Sequence, residues 1–347
     1  MNIKELLKKA REEGATFLHI VPGQVPMARI SGSLKPVGEK RITPPDVDEA
    51  VKEIFGEITA VPGVPLSETI GYSVAGEGRY RINIHTQRGS KYLTVDILYE
   101  NIDDPEKLHI PDRILKVAER RKGLVVVAGP RLSGRTTTIT EIIKTASQNR
   151  ICNITTLEDP IRYTIKHGQG TVVQREKGQD YLRAEDALKE VAGGDSDIIL
   201  VEKIDSPELL MLALELAEEG RLVITQVTAY DSVSAINRLL EYVPEESKQR
   251  VSKQMARVIN TIILQRLIEG KSGEMIPAFE LMHCNRLVRA SMKDGEFRNL
   301  KNYCMENSTT SFRLDDYIYK LYKDGVIEAA KATNNAENYA EMRERCV

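Results

Sequence analysis

The amino-acid sequence predicts an α/β protein of two domains, a small N-terminal α/β unit over residues 1–108 and a parallel-sheet unit over residues 109–347. Three observations predict it. Four short runs in the second part, GLVVVAG, CNITTLE, DIILV and LVITQV, are β-branched and apolar on both faces, as strands buried within a parallel sheet are. Helical patterns separate these runs, which is the alternation of an α/β fold. The stretch Asn101–Asp112, with Pro105 and Pro111, reads as a linker from a first region of different pattern.

The elements follow in chain order. MNIKELLKKAREEG reads as an amphipathic helix, with Ile3, Leu6 and Leu7 on one side and charges on the other. Short apolar runs punctuated by turn residues come next: LHIVPG, MARISG and LKPVG. Thr43 is placed to cap a helix whose first turn holds Pro44, where a missing N–H costs little; Val47, Val51 and Ile54 share one side. RYRINIHTQRGSKYLTVDIL reads as a hairpin turning at QRGS, because Tyr80, Ile82 and Ile84 alternate with Arg79, Arg81, Asn83 and His85. In the second part, helices are expected over Thr136–Ala146, Pro207–Glu219 and Val233–Leu240. A long amphipathic helix is expected over Val251–Leu267, where Val251, Met255, Val258, Ile259, Ile262 and Ile263 recur at helical spacing. The strand IPAFELM and a helical tail close the chain.

Composition narrows the function. With 347 residues, 41% hydrophobic and 29% charged, each of two domains can bury a core. Lys plus Arg total 49 against 51 Asp plus Glu, a net charge of -2, which argues against nucleic acid as a partner. Cys152, Cys284, Cys304 and Cys346 form no CxxC pair, so a zinc knuckle and a disulfide framework are not expected, and a reducing cytoplasm is. His19, His85, His109, His167 and His283 are scattered without metal-ligand spacing. No run approaches the roughly 20 apolar residues that span a bilayer.

The sharpest chemical signal is Gly129-Pro-Arg-Leu-Ser-Gly134-Arg135-Thr136, which follows the strand Leu124–Ala128 and opens a helix. In that context Gly-x4-Gly-Lys-Ser/Thr forms a phosphate cradle: backbone N–H groups and the helix N-terminus face the anion, and the hydroxyl holds Mg²⁺. Here Arg135 replaces the lysine, a planar fork instead of a compact ammonium. The alternative is a Gly-rich strand-to-helix turn that binds nothing.

Matches in order along the chain carry a resemblance. GATFLHIVPGQVPMARISG, RYRINIHTQRGS, TLEDPIR, VVQREKGQD, DIILVEK and ELMHCNRLVRASMKDGEF resemble successive segments of the PilT family of retraction motors, in the type IV pilus and type II secretion ATPase superfamily. The resemblance implies a PAS-like N-terminal α/β domain and a RecA-like P-loop domain. It implies ATP and Mg²⁺ as ligands and a hexameric ring in which neighbouring subunits complete each site. It also implies an inner-membrane pilus platform protein as partner, which would make a cytoplasmic chain peripheral to that membrane.

The same resemblance exposes departures. The loop GPTGSGKST reads GPRLSGRTT, so Arg131, Leu132 and Arg135 differ; if position 132 needs a left-handed backbone, Leu costs on the order of 1–2 kcal/mol there. The glutamate that polarises the attacking water becomes Lys203, the strand-end histidine becomes Thr228, the hairpin arginine becomes Asp96, and an upstream arginine becomes Gly193. Retained are Gly129, Ser133, Gly134, Thr136, Thr137, Glu158, Asp159 and Arg175. Glu158 falls at a strand end, where parallel sheets place ligand groups, or else in a turn closed by Pro160. Arg175 belongs to a subunit edge or to a surface salt bridge. Glu202 stands where the family has Gly; neighbours on a strand point to opposite faces, so Glu202 sits near a metal or is a solvated strand-end side chain, and Lys203 faces away.

The expected site residues are thus Gly129, Ser133, Gly134, Arg135, Thr136 and Thr137 for nucleotide, Thr136 and Glu158 for Mg²⁺, and Glu158 and Glu202 for catalysis. Three functions remain open: a pseudo-ATPase ring subunit, alone or mixed with an active paralogue; a slow ATPase using Arg135; and an adaptor that binds ATP without hydrolysing it. Leu287–Asp294, with Val288 and Met292 spaced i,i+4, supports retraction-type work or is a surface helix anchored by those two residues.

Overall fold

A computed structural model describes residues 2–30, 32–56, 66–74, 78–99, 108–297, 299–305 and 310–347. The chain divides into two compact units, one of residues 1–101 with Arg162–Thr164 and the other of 102–161 with 165–347. Residues 101–107 of the expected linker lie outside the described residues.

The first unit runs α1 (Ile3–Glu12), β1 (Ala15–Ile20), β2 (Met27–Ile30), β3 (Ser33–Pro36), α2 (Pro44–Phe55), β4 (Glu68–Val74), β5 (Gly78–Gln87) and β6 (Ser90–Leu98). Asn2 caps α1 by accepting from the Glu5 N–H at 3.2 Å, and Ile3, Leu7 and Ala10 bury its inner face. At α2 the Thr43 N–H donates to the Asp46 carboxylate at 2.9 Å, half of a capping box. The described strands form one antiparallel sheet in the order β3-β2-β1-β6-β5-β4, with the expected hairpin as β5 and β6. Tyr80, Ile82 and Ile84 are buried, as their alternation requires.

The second unit holds α3 (Asp112–Leu115), β7 (Gly123–Gly129), α4 (Arg135–Asn149), β8 (Ile154–Glu158), β9 (Val172–Glu176), α5 (Ala184–Ala192), β10 (Ile198–Lys203), α6 (Pro207–Glu218), β11 (Leu222–Thr228) and α7 (Ser232–Leu240). It continues with α8 (Glu245–Val258), β12 (Ile259–Glu269), β13 (Met275–His283), α9 (Arg286–Lys293), α10 (Leu300–Met305), α11 (Leu314–Lys323), α12 (Ala329–Asn335) and α13 (Tyr339–Arg345). Its sheet has the order β13-β12-β7-β11-β10-β8-β9, parallel except where β13 pairs with β12. Alternation along β7 feeds two cores. Leu124, Val126 and Ala128 pack with residues of α5 and α6, while Val125 and Val127 pack with Ile139, Ile142 and Ile143 of α4. Both faces of the sheet are therefore covered, so its central strands have no polar side.

That same burial corrects one expectation. Val251–Leu267 is not one helix: α8 ends at Val258 and β12 begins at Ile259. Ile259, Ile262, Ile263 and Leu264 are buried between β7 on one side and β13 on the other. A strand buried on both faces shows no period-2 pattern, and its apolar spacing continues that of the preceding helix. β9 is a further strand that the sequence reading did not assign. In α9 Val288 and Met292 are buried, and Arg289 donates to the carbonyls of Cys284 at 3.3 Å and Ala256 at 3.2 Å, closing the end of α8. No helix among the described residues is long and apolar enough to cross a membrane.

Candidate functional site

Parallel pairing brings the expected residues to one edge of the second sheet. Gly129 at the end of β7 lies opposite Thr228 at the end of β11, Lys203 of β10 lies opposite Gln226, and β8 ends beside β10 at Glu158. Ligands of parallel α/β sheets sit at this edge.

The loop after β7 turns directly into α4, 15 residues long, whose first N–H groups lack helical partners and carry the positive end of the helix dipole. Gly134 caps it with φ 85°. Leu132 has φ 63° and is 73% exposed, so its left-handed conformation, at about 1–2 kcal/mol, is not offset by burial. A Cβ on Gly129 would lie 2.4 Å from both Ser133 Oγ and the Gln265 carbonyl; one on Gly134 would lie 2.8 Å from Gln265 Nε2. Ser133 is 2% exposed and its hydroxyl has no hydrogen-bond partner. A buried orphan hydroxyl among helix-end N–H groups suits an anion, and on this observation the loop fits phosphate oxygens. Thr136 and Thr137 follow in the first turn of α4, where the Thr140 hydroxyl donates to the Thr136 carbonyl at 2.9 Å.

Arg135 is the first residue of α4, and its Nη1 donates to Thr228 Oγ1 at 3.1 Å. Burial draws its guanidinium below the usual arginine pKa, while the nearby Glu202 charge opposes that shift. Two positions that the sequence resemblance marks as departures thus touch each other.

The carboxylates are already engaged. Glu158 is buried, and its Oε1 accepts from Thr156 Oγ1 at 2.6 Å and Gln174 Nε2 at 3.0 Å; Tyr181 donates to its carbonyl at 3.1 Å. Glu202 is 9% exposed, so it is not a solvated side chain. Its Oε2 accepts from the Asp159 N–H at 2.6 Å and its Oε1 from Gln226 Nε2 at 2.9 Å, which ties the ends of β8, β10 and β11 together. A bulge between Val201 and Lys203 accommodates this inward turn. Lys203 points the other way with its side chain 71% exposed, pairing with Asp205 at 2.8 Å, a hydrogen bond that holds its ammonium above the usual lysine pKa. The carboxylate half of the expected Thr136 and Glu158 pair is therefore a poor fit to Mg²⁺ as it stands. Among the described residues no group of three or more His, Cys, Asp or Glu side chains is placed to hold a metal ion.

The remaining expected positions lie apart from this cluster. Arg175 pairs with Glu190 at 2.8 Å and stacks on Tyr181, 5.9 Å from its ring centre. Gly193 ends α5. Asp96 belongs to the first unit, where Arg162 donates to it at 3.2 and 3.4 Å; burial still raises its carboxyl above the usual range. Sequence reading missed Gln174, Tyr181, Gln226 and Gln265. The signal for Gln174 is its parallel register with Thr156, visible only once β9 is assigned.

Comparison with known proteins places this geometry. Residues 100–339 match the family described as Type II/IV secretion system protein. The chain is 26% identical over 339 residues to the type IV pilus retractation ATPase PilT of Pseudomonas aeruginosa, covering 97% of this chain and 98% of the relative. It is 26% identical over 346 residues to the type IV pilus ATPase PilU of the same organism, at 99% and 91% coverage. The crystal structure of the pilus retraction motor PilT with bound ADP matches with a TM-score of 0.84 at 29% identity, covering 98% of both chains. The Legionella pneumophila ATPase DotB, at 17% identity and a TM-score of 0.79 over 96% of this chain and 94% of its own, shares the fold. The architecture is an N-terminal antiparallel-sheet α/β domain followed by a RecA-like parallel-sheet domain.

Proposed function

Because the chain belongs to the type II/IV secretion system protein family, we propose that it serves a type IV pilus system as a PilT-like ring subunit whose ATP hydrolysis is silenced, with a structural or regulatory role. The observation that carries this reading is the contact of Arg135 with Thr228. The cation that would grip phosphate is turned onto the side chain standing where the family has its histidine.

Phosphoryl transfer depends on positioning and on neutralising charge that develops on the γ-phosphate. When bound, ATP would supply the transferable group and Mg²⁺ part of that neutralisation. The Gly129–Gly134 backbone, Ser133, Thr136 and Thr137 would hold the phosphates, as the burial of Ser133 and the helix-end placement of both threonines support. Lys203 itself cannot take a proton from water, since its ammonium is exposed, paired with Asp205 and held protonated. Losing a general base costs about 10²–10⁴ in rate, and losing a charge-stabilising arginine about 10³–10⁵. These factors need not multiply, yet the larger alone removes useful motor activity. By similarity the subunit forms a hexamer, alone or mixed with an active paralogue, and docks on an inner-membrane platform protein. A size measurement showing only monomer at every concentration and nucleotide state would contradict the ring.

A second reading, a slow retraction motor, draws on Glu158 and Glu202, both buried at the strand ends where water and metal would sit. Steady-state phosphate release with MgATP, by wild type and Arg135→Ala, separates the two. Silenced chemistry gives the same background for both proteins; a rate that disappears in the variant would establish the motor.

A further inference from the structure

The phosphate loop and the carboxylates beside it make opposite demands of a ligand. The loop offers backbone donors, an orphaned Ser133 hydroxyl and the start of a long helix, all suited to a polyphosphate. The acidic groups that would hold a divalent cation next to that anion are occupied. Glu158 accepts from Thr156 and Gln174, and Glu202 accepts from Asp159 and Gln226. Drawing either carboxylate toward a metal would strip buried donors of their acceptor, and Glu202 would also let go the ends of β8 and β11. Arg135, by contrast, hydrogen-bonds a neutral hydroxyl, Thr228 Oγ1 at 3.1 Å, with the Glu202 charge nearby, and a phosphate oxygen outcompetes that hydroxyl as an acceptor. Its planar fork can also engage two phosphate oxygens at once, as the ammonium of lysine cannot.

We propose that this loop takes a diphosphate- or triphosphate-bearing anion without a divalent cation, Arg135 leaving Thr228 to supply the neutralising charge. The inference rests on the silenced-site reading above and names the form of ligand such a site accepts. Glu202 remains the strand-end clamp throughout, and Ser133 Oγ gains the partner it lacks.

The test is calorimetric titration of the full chain with ADP, ATP and inorganic pyrophosphate, each in EDTA and in excess Mg²⁺. Pyrophosphate binding as well as ADP would assign affinity to the phosphates alone; binding by ADP and ATP only would make nucleotide the ligand. In either case excess Mg²⁺, which complexes the free anion, leaves wild-type binding weaker than in EDTA and never tighter. Arg135→Ala weakens binding in EDTA about tenfold or more. Arg135→Lys, which keeps the charge but loses the fork, also weakens it in EDTA and regains affinity with Mg²⁺. Thr228→Val, which removes the acceptor holding Arg135, tightens binding in EDTA, and thermal melts establish that each variant is folded. Tightening of wild-type binding by Mg²⁺ of about tenfold or more would overturn the proposal. So would unchanged affinity in Arg135→Ala, or no binding in either buffer. Mg²⁺-dependent binding without phosphate release would leave the silenced motor standing and reject only the cation-free ligand.

Discussion

Between Gly129 and Thr136 the loop offers backbone N–H donors beside the Ser133 hydroxyl and Arg135, whereas the ends of β8, β10 and β11 offer the side chains Glu158, Glu202 and Thr228. Three side chains of the loop differ from the family pattern, yet its glycines, its helix cap and its buried serine keep the conformation. At the strand ends the backbone is equally well formed, and the side chains there and at Arg135 each engage a neighbouring side chain or N–H. Arg135 binds Thr228, Glu202 binds Asp159 and Gln226, and Lys203 binds Asp205. The loop thus keeps its main-chain donors, while the strand-end side chains are tied to one another.

A buried carboxylate outside this cluster gives the largest expected effect and a scale for the rest. Glu280 on β13 is fully buried and pairs with Lys301 at 2.9 Å. Lys301→Met leaves that charge uncompensated, and urea unfolding is expected to show a loss of about 3–5 kcal/mol, largely restored in Glu280→Gln/Lys301→Met. Burial raises the Glu280 carboxyl above its unfolded value, and Lys301 opposes that rise. In Lys301→Met the folded pKa therefore lies higher still. The variant's deficit is smallest below the unfolded carboxylate pKa and grows as pH rises through the folded one, so it is larger at about pH 8 than at about pH 5. A deficit independent of pH would show that Lys301 acts through packing alone.

Gly129→Val attacks the loop backbone. Its side chain meets Ser133 Oγ and the Gln265 carbonyl, and the expected result is about 1–3 kcal/mol of destabilisation with loss of polyphosphate binding. Binding that survives would break the claim that the main chain is the cradle. Leu132→Gly relieves the left-handed strain, with a gain of at most about 1 kcal/mol after the entropy of glycine is counted, and leaves binding unchanged. Lys203→Glu has the smallest effect: it loses an exposed ion pair, about 0.5 kcal/mol or less, and restores no turnover while Arg135 and Thr228 are in place. Recovery of hydrolysis in that single variant would place the whole deficit at one strand end.

Much of this was legible in the sequence. β7, β8, β10 and β11 announce themselves because burial on both faces selects short β-branched runs, and the β5–β6 hairpin does so by alternation. Burial on both faces also misled: β12 reads as more of α8, and with it the approach of Gln265 to Gly129 and Gly134 was invisible. β9 is short and half polar, so nothing in its pattern marks it as a strand, and the Gln174 contact with Glu158 was lost with it. The departures at Arg135 and Thr228 could each be read, but not that they meet. Their contact spans 93 positions and depends on the register that pairs Gly129 with Thr228.

The most direct test of the central claim is a single-turnover measurement with protein in excess over radiolabelled ATP and saturating Mg²⁺, following release of labelled phosphate. A silenced site predicts the same slow background for wild type and Arg135→Ala. A phosphate burst in wild type that Arg135→Ala abolishes would contradict it.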